Sequence, residues 1–432
     1  MSKKTLCLGA VVLCATCALF LAVDARHIFA GDAREPERGA ISERYSTTAR
    51  HQASTSPGDW EHTLALTFTP AFTVYIPLAS SNYWPGAIGF DYGVQANPVG
   101  DTYANIGHIQ TMGLGWVKLS MHWDLVEPVQ GSYEWGPWDE LVNAYEHTSI
   151  KVLLSVSDAP SWARGGQDLS VEGPPNNPQD LADFLGAVVH RYCNHNVEAI
   201  EIWDEQNLHY KWGNLVIDPA AYMALLKPTY NTIKAICPRM TVVSGALTPT
   251  GAPLPLGMDD FVYLEGMYEA GLKNYSDAIG AHPAGYNVAP WVASAQEACD
   301  FITQQQSTFR GPCNTLHHSW YFLGTMEGYH NIMAAYADDN KRIVVTEFGW
   351  AVSEDPSPGY QYAYDNTYAE QAEWTVWAFQ WGKGIGWAGP MMLFNLDYGL
   401  TSPALEISYW SLLTPTGTVP AYSAIAAMPK TK

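Results

Sequence analysis

Eight short apolar runs rich in β-branched residues recur along this chain, and helix-like segments stand between them. The runs fall at residues 88–94, 116–123, 151–157, from Ala199 onward, 241–247, 276–282, 342–347 and 390–396. Asn177 and Pro178 form the cap and first turn of one intervening helix, whose apolar stripe is Leu181, Phe184, Leu185, Val188, Val189 and Tyr192. Asp218 and Pro219 open another, carrying Tyr222, Leu225, Leu226, Ile233 and Ile236, and a further helix is expected at 367–381. Strands alternating with helices imply a parallel sheet, and eight such units imply that the sheet closes on itself. No repeat beyond this rhythm is visible. The segment from 283 to about 324 reads as a long loop, of the kind that often forms a lid or rim.

Two of the runs end in acidic residues. The fourth, A-I-E-I-W-D-E-Q-N-L from Ala199, alternates Ile200 and Ile202 against Glu201, Trp203 and Glu205, the period-2 pattern of a strand. The seventh reads R-I-V-V-T-E-F-G-W and brings Glu347 to its end. Parallel barrels carry reactive groups at the carboxyl ends of their strands. Two carboxylates brought together there suit glycosidic bond cleavage.

The W-D-E-Q-N of Trp203 to Asn207 is similar to the W-N-E-P-N box of retaining glycoside hydrolases of clan A, and T-E-F-G-W at Thr346 to Trp350 resembles that clan's nucleophile box. The resemblance runs over roughly 86–425. It implies a (β/α)₈ TIM barrel of the β-xylosidase-like and cellulase-like kind, with Glu205 as acid/base on the fourth strand and Glu347 as nucleophile on the seventh. Retention needs the two carboxyls about 5 to 5.5 Å apart, one protonated and one ionised. The implied activity is hydrolysis of β-glycosidic bonds in an oligo- or polysaccharide. No cofactor and no metal is expected, and His317, His318 and the other histidines lack zinc spacing.

Several positions depart from the family pattern. Asp204 replaces an amide that donates to the sugar 2-hydroxyl, and a carboxylate can only accept. Gln206 replaces a proline. His282-Pro283-Ala284 stands where relatives read H-P-Y, so a tyrosine beside the nucleophile is missing, and Tyr286 is the candidate to take its place. Phe394 stands where the family usually has a sugar-stacking tryptophan. Asp204, Trp123, Trp162, His282, Tyr286, Trp350, Phe394 and Asn395 are the expected sugar contacts, whereas Trp203 is expected in the core. Lys118 and Glu201 are expected to form an inward ion pair beneath the site. A sugar-binding barrel without catalysis is the competing reading, motivated by Asp204, Ala284 and Phe394 together.

The 432 residues, once an N-terminal segment is set aside, suffice for one barrel domain. Residues 1–25 carry Lys3, Lys4, an apolar run and V-D-A, and read as a signal peptide or an uncleaved membrane anchor. Residues 26–60 read as a flexible linker, residues 61–85 as a short strand-like extension or further linker, and 86–432 as the barrel. A net charge of −21 argues against nucleic acid and anionic membrane surfaces as partners, so membrane contact is expected only through the anchor. The expected location is therefore secreted or in the cell envelope. Cys193, Cys237, Cys299 and Cys313 remain after the leader, an even number consistent with disulfides, the alternative being four buried thiols. Cys299 and Cys313 would close a short loop, and Cys193 and Cys237 would meet at the barrel's bottom.

Overall fold

The computed structural model describes residues 88–430; the leader, linker and strand-like extension expected at 1–85 lie outside the described residues. Within them, eight parallel strands close into a barrel in sequence order: β1 (Tyr92–Gln95), β2 (Trp116–His122), β3 (Lys151–Ser157), β4 (Val197–Ile202), β5 (Thr241–Leu247), β6 (Ala278–Ala281), β7 (Arg342–Phe348) and β8 (Ala388–Leu393). Pairing of Gly93 with Met392 joins the first strand to the last. The strands are almost wholly buried because helices cover their outer faces, which is why their sequences read as continuous apolar runs.

The expected helices form where their caps predict. Asn177 accepts from the Gln179 amide at the head of Pro178–Tyr192, and Asp218 accepts from the Ala220 amide at the head of Pro219–Ile236. Thr367 and Glu370 make a reciprocal capping box on Tyr368–Gly384. All six stripe residues of the first helix are buried. In the second, Ile236 is exposed, because the helix ends there as the chain turns toward β5. The segment after β6 is not an irregular loop: it contains the helix Ala295–Gln304, capped by Ser294.

The barrel interior is layered. Trp116, Leu153, Ala199, Val243, Ala278, Val344 and Met392 form one apolar cluster across its floor. Side chains two residues further along a strand point the same way, and there the composition changes to Lys118, Ser155, Glu201 and Thr346, all buried. A polar layer on a sealed floor therefore faces the carboxyl-end mouth.

Both expected disulfides are present. Cys193–Cys237 ties the ends of two helices on either side of β4, and Cys299–Cys313 closes the segment after β6. With separations of 44 and 14 residues, the chain-entropy relation gives about 4 and about 3 kcal/mol respectively. Replacing Cys193 and Cys237 together by serine is expected to lower the urea midpoint more than the same change at Cys299 and Cys313.

Candidate active site

Two local irregularities aim the acids. In β7 the register with β8 shifts between Val345 and Phe348, and such a bulge redirects a side chain. Thr346 then donates its hydroxyl inward to Glu201 Oε1 at 2.8 Å, Phe348 packs outside the barrel on Phe379, and Glu347 reaches the mouth. In β4 regular extension ends at Ile202. Trp203 and Glu205 have positive φ, 70° and 50°, conformations that are costly for residues with a side chain and tend to mark functional sites. The pleat expected to carry Glu201, Trp203 and Glu205 on one face thus stops short: Trp203 turns into the core against Trp212, its indole donating to the Lys211 carbonyl.

Glu205, His282, Tyr286, Glu347 and Phe394 line one cavity. Lys118 Nζ donates to Glu347 Oε1 at 2.8 Å and lies 3.6 Å from Glu201 Oε2, so the expected ion pair exists but its shorter arm goes to Glu347. His282 Nδ1 is 3.3 Å from Glu205 Oε1, and its Nε2 is 3.5 Å from Asp204 Oδ1. Asp204 also lies 3.8 Å from Lys211 Nζ, which is held at 2.9 Å by Glu172.

These contacts set the charges. Burial alone would raise the Glu205 carboxyl, but the hydrogen bond from His282 and the charges of His282 and Lys211 outweigh it and bring the pKa down to about 2. Burial alone would lower the His282 imidazole, but Glu347, the bond to Glu205 and Asp204 outweigh it and raise the pKa to about 9. Burial also opposes the charge on Lys118, and Glu347, Glu201 and Asp204 more than restore it. Burial pushes the Glu201 carboxyl up, with Lys118 opposing.

The His282–Glu205 pair therefore has a defined stability window. Glu205, depressed when folded, contributes in full above its ordinary value of 4.5 and loses that contribution as pH falls toward 2. His282, raised when folded, contributes in full below its ordinary 6.5 and loses it as pH rises through about 9. The stability difference between the parent and His282→Gln, followed by urea unfolding, is expected to be flat between those ordinary values and to shrink on both sides.

Other expected contacts are placed differently. Trp123 is wholly buried between Phe184 and Trp162, with its indole on Glu127, because the chain turns helical at the end of β2. Trp162 packs edge-on against it and donates to the Glu127 carbonyl, outside the cavity. Trp350 is buried beneath Gly285 and donates to the Val288 carbonyl; a Cβ at Gly285 would lie 1.9 Å from its Nε1. Asn395 is buried with its amide donating to the Ile407 carbonyl. Asp204 stands behind His282, not among the lining residues.

Sequence reasoning missed Thr248, Tyr360, Tyr362, Ile407 and Trp410, which line the same cavity. For Tyr360, Tyr362 and Trp410 the signal was the aromatic pairs in the loops after the seventh and eighth strands, since barrel sites are built from such loops; Thr248 and Ile407 carried no such signal. Among the described residues, Glu201, Asp204 and His282 bring ligand atoms within 4.8 Å of one another, as do Asp259, His317 and His318, and His122, Asp124 and Asp158. The second group escapes spacing rules because Asp259 is distant in sequence. In the first group the Lys118 ammonium already supplies positive charge beside Glu201.

No family model and no curated protein matches the chain. Solved structures do. A family 39 glycoside hydrolase from Bacteroides cellulosilyticus WH2 aligns at 21% identity and TM-score 0.58, over 79% of this chain and 63% of that one. A monomeric β-xylosidase from Caulobacter crescentus CB15 aligns at 18% and 0.53, over 79% and 68%. A glucosidase from Croceicoccus marinus aligns at 12% and 0.53, over 79% and 67%. The chain thus spans under two thirds of the length of the first of these. What the likeness shows is the fold, and this chain is a (β/α)₈ TIM barrel of the architecture found in those glycoside hydrolase structures.

Proposed function

We propose that the chain is a retaining β-glycoside hydrolase, with Glu347 as nucleophile and Glu205 as acid/base. The observation that carries this reading is that both glutamates, from the ends of β4 and β7, line one cavity walled by Tyr286, Tyr362, Phe394 and Trp410. Flat aromatic faces suit the apolar faces of sugar rings, and the carboxylates suit the anomeric centre. Lys118 holds Glu347 in position for attack, Glu205 delivers a proton to the departing oxygen, and Glu205 then takes one from the water that releases the sugar. The substrate is an oligo- or polysaccharide fragment or a glycoside. Two disulfides fit an oxidising, extracytoplasmic compartment.

The competing reading, a sugar-binding barrel without turnover, draws on Ala284, which leaves no hydroxyl at that cavity position, and on Asp204. One experiment separates the two. Reaction with 2-fluoro glycosides of several sugars, followed by peptide mass spectrometry, is expected to leave the added sugar mass on the peptide containing Glu347. Binding of sugars with no labelling, and no turnover of any aryl glycoside, would support the binder.

The aromatic wall yields a further expectation. Trp410→Ala removes a large ring from the cavity, and stacking of a flat ring such as a nucleobase on an aromatic side chain is worth about 1–3 kcal/mol. KM for aryl glycosides should rise about tenfold or more, with a smaller change in kcat.

A further inference from the structure

His282 is buried between the carboxylates of two consecutive residues: Nδ1 is hydrogen-bonded to Glu205 Oε1 at 3.3 Å, and Nε2, with no hydrogen-bond partner, faces Asp204 Oδ1 at an ion-pair distance of 3.5 Å. An imidazole offered acceptors on both sides is matched only when both nitrogens carry hydrogen. An amide at position 204 could present its own hydrogens and would not impose that state; a carboxylate does. From this geometry we infer that His282 stores the proton that Glu205 gives to the leaving oxygen, and that Asp204, on the far ring nitrogen, helps to keep it there. The inference rests on the hydrolase reading above.

The proton bookkeeping closes over one cycle. When the substrate is in place, His282 Nδ1 passes its proton to Glu205 Oε1, and the carboxyl, now neutral, turns that hydroxyl to the departing oxygen and gives it the same proton as the glycosidic bond breaks. Glu205 is again a carboxylate, and His282 is neutral with its remaining hydrogen on Nε2 toward Asp204. In the second half, water attacks the glycosyl ester on Glu347, Glu205 takes its proton, and the proton returns to Nδ1. Nothing beyond substrate and water is consumed. His282 acts through Glu205 and is in that sense a positioning residue for the proton. The remaining charges about the imidazole are Glu347 from β7, Lys118 from β2 and Glu201 from β4, with Lys211 beyond Asp204. Lys118 opposes protonation and is committed to Glu347 and Glu201.

The arrangement also accounts for Glu205 being held ionised in the free protein, which would otherwise conflict with its role as an acid. The acid is the pair, and its proton resides on nitrogen until a basic oxygen arrives.

The test uses the full chain labelled with ¹⁵N-histidine, with the His282 ring signals identified by their loss in His282→Gln. The parent is expected to show an imidazolium at position 282 through pH 7.5, and Asp204→Asn, nearly isosteric, is expected to lower its midpoint by about one pH unit or more. A neutral His282 at pH 7 in the parent, or an unmoved midpoint in Asp204→Asn, overturns the inference, as does tight binding of added zinc at these residues. In kinetics, the alkaline limb of kcat/KM should move down by the same interval in Asp204→Asn. His282→Gln should lose about 10²- to 10⁴-fold on a glycoside with a poor leaving group, and at least about tenfold less than that on a dinitrophenyl glycoside, which needs no proton. Equal losses on both substrates, or a limb that stays in place, remove the relay while the hydrolase reading stands. No turnover by the parent removes both, and the ring signals then report only the pairing.

Discussion

Glu347→Ala is expected to lower kcat on aryl glycosides by about 10⁴-fold or more, since removing a catalytic nucleophile abolishes the covalent route and leaves only binding and electrostatic contributions. The substitution also leaves space where the carboxylate stood. Added azide should enter that space and restore turnover, yielding a glycosyl azide of inverted anomeric configuration. Glu205→Ala should behave differently. Its loss should be small for dinitrophenyl leaving groups and large for poor ones, and azide there should give a product of retained configuration. If the Glu347→Ala protein keeps more than about a tenth of the parent rate, the assignment of the nucleophile is wrong.

Lys118→Met should be the most damaging change away from the two glutamates. Lys118 Nζ touches Glu347 and Glu201 in the barrel interior, so its removal leaves two carboxylates without their cation. Breaking a buried ion pair by removing one partner costs about 3–5 kcal/mol. The midpoint of urea unfolding should fall accordingly. At the same time Glu347 loses the ammonium that holds it at 2.8 Å, so kcat/KM should fall. Adding Glu201→Gln to Lys118→Met should recover part of the stability, because one stranded charge is gone, but none of the activity, because Glu347 is still unsupported. Recovery of both would mean that Lys118 serves only Glu201.

The fold was legible because burial on both faces of a parallel strand writes itself as an uninterrupted apolar run; β3 and β5 fall where their residues predict. Caps such as Asn177, Asp218 and Thr367 marked helix starts because their side chains satisfy amides that the helix leaves open. The site was legible only where a side chain's role follows from its strand. Glu347 could be placed, but its aim depends on a bulge that local pattern does not reveal. Alternation failed at Trp203 and Glu205 because both leave extended geometry, a choice made by the surrounding structure against local preference. Trp123, Trp162 and Trp350 lie outside the cavity lining for another reason: indole rings serve equally as sugar platforms and as core filler, and a hydrogen bond from each ring ties it to the scaffold. Tyr360, Tyr362 and Trp410 come from loops whose path no periodicity encodes.

The apolar floor built from Trp116, Leu153, Ala199, Val243, Ala278, Val344 and Met392 has a temporal consequence. Among the described residues that end is plugged, and the cavity opens at the strands' carboxyl ends. In the proposed reaction the hydrolytic water must come in by the same passage through which the aglycone departs. The order of the two half-reactions is then enforced by traffic through one opening as well as by bond-making, and an acceptor lingering in that doorway would receive the sugar from Glu347 before water could reach it.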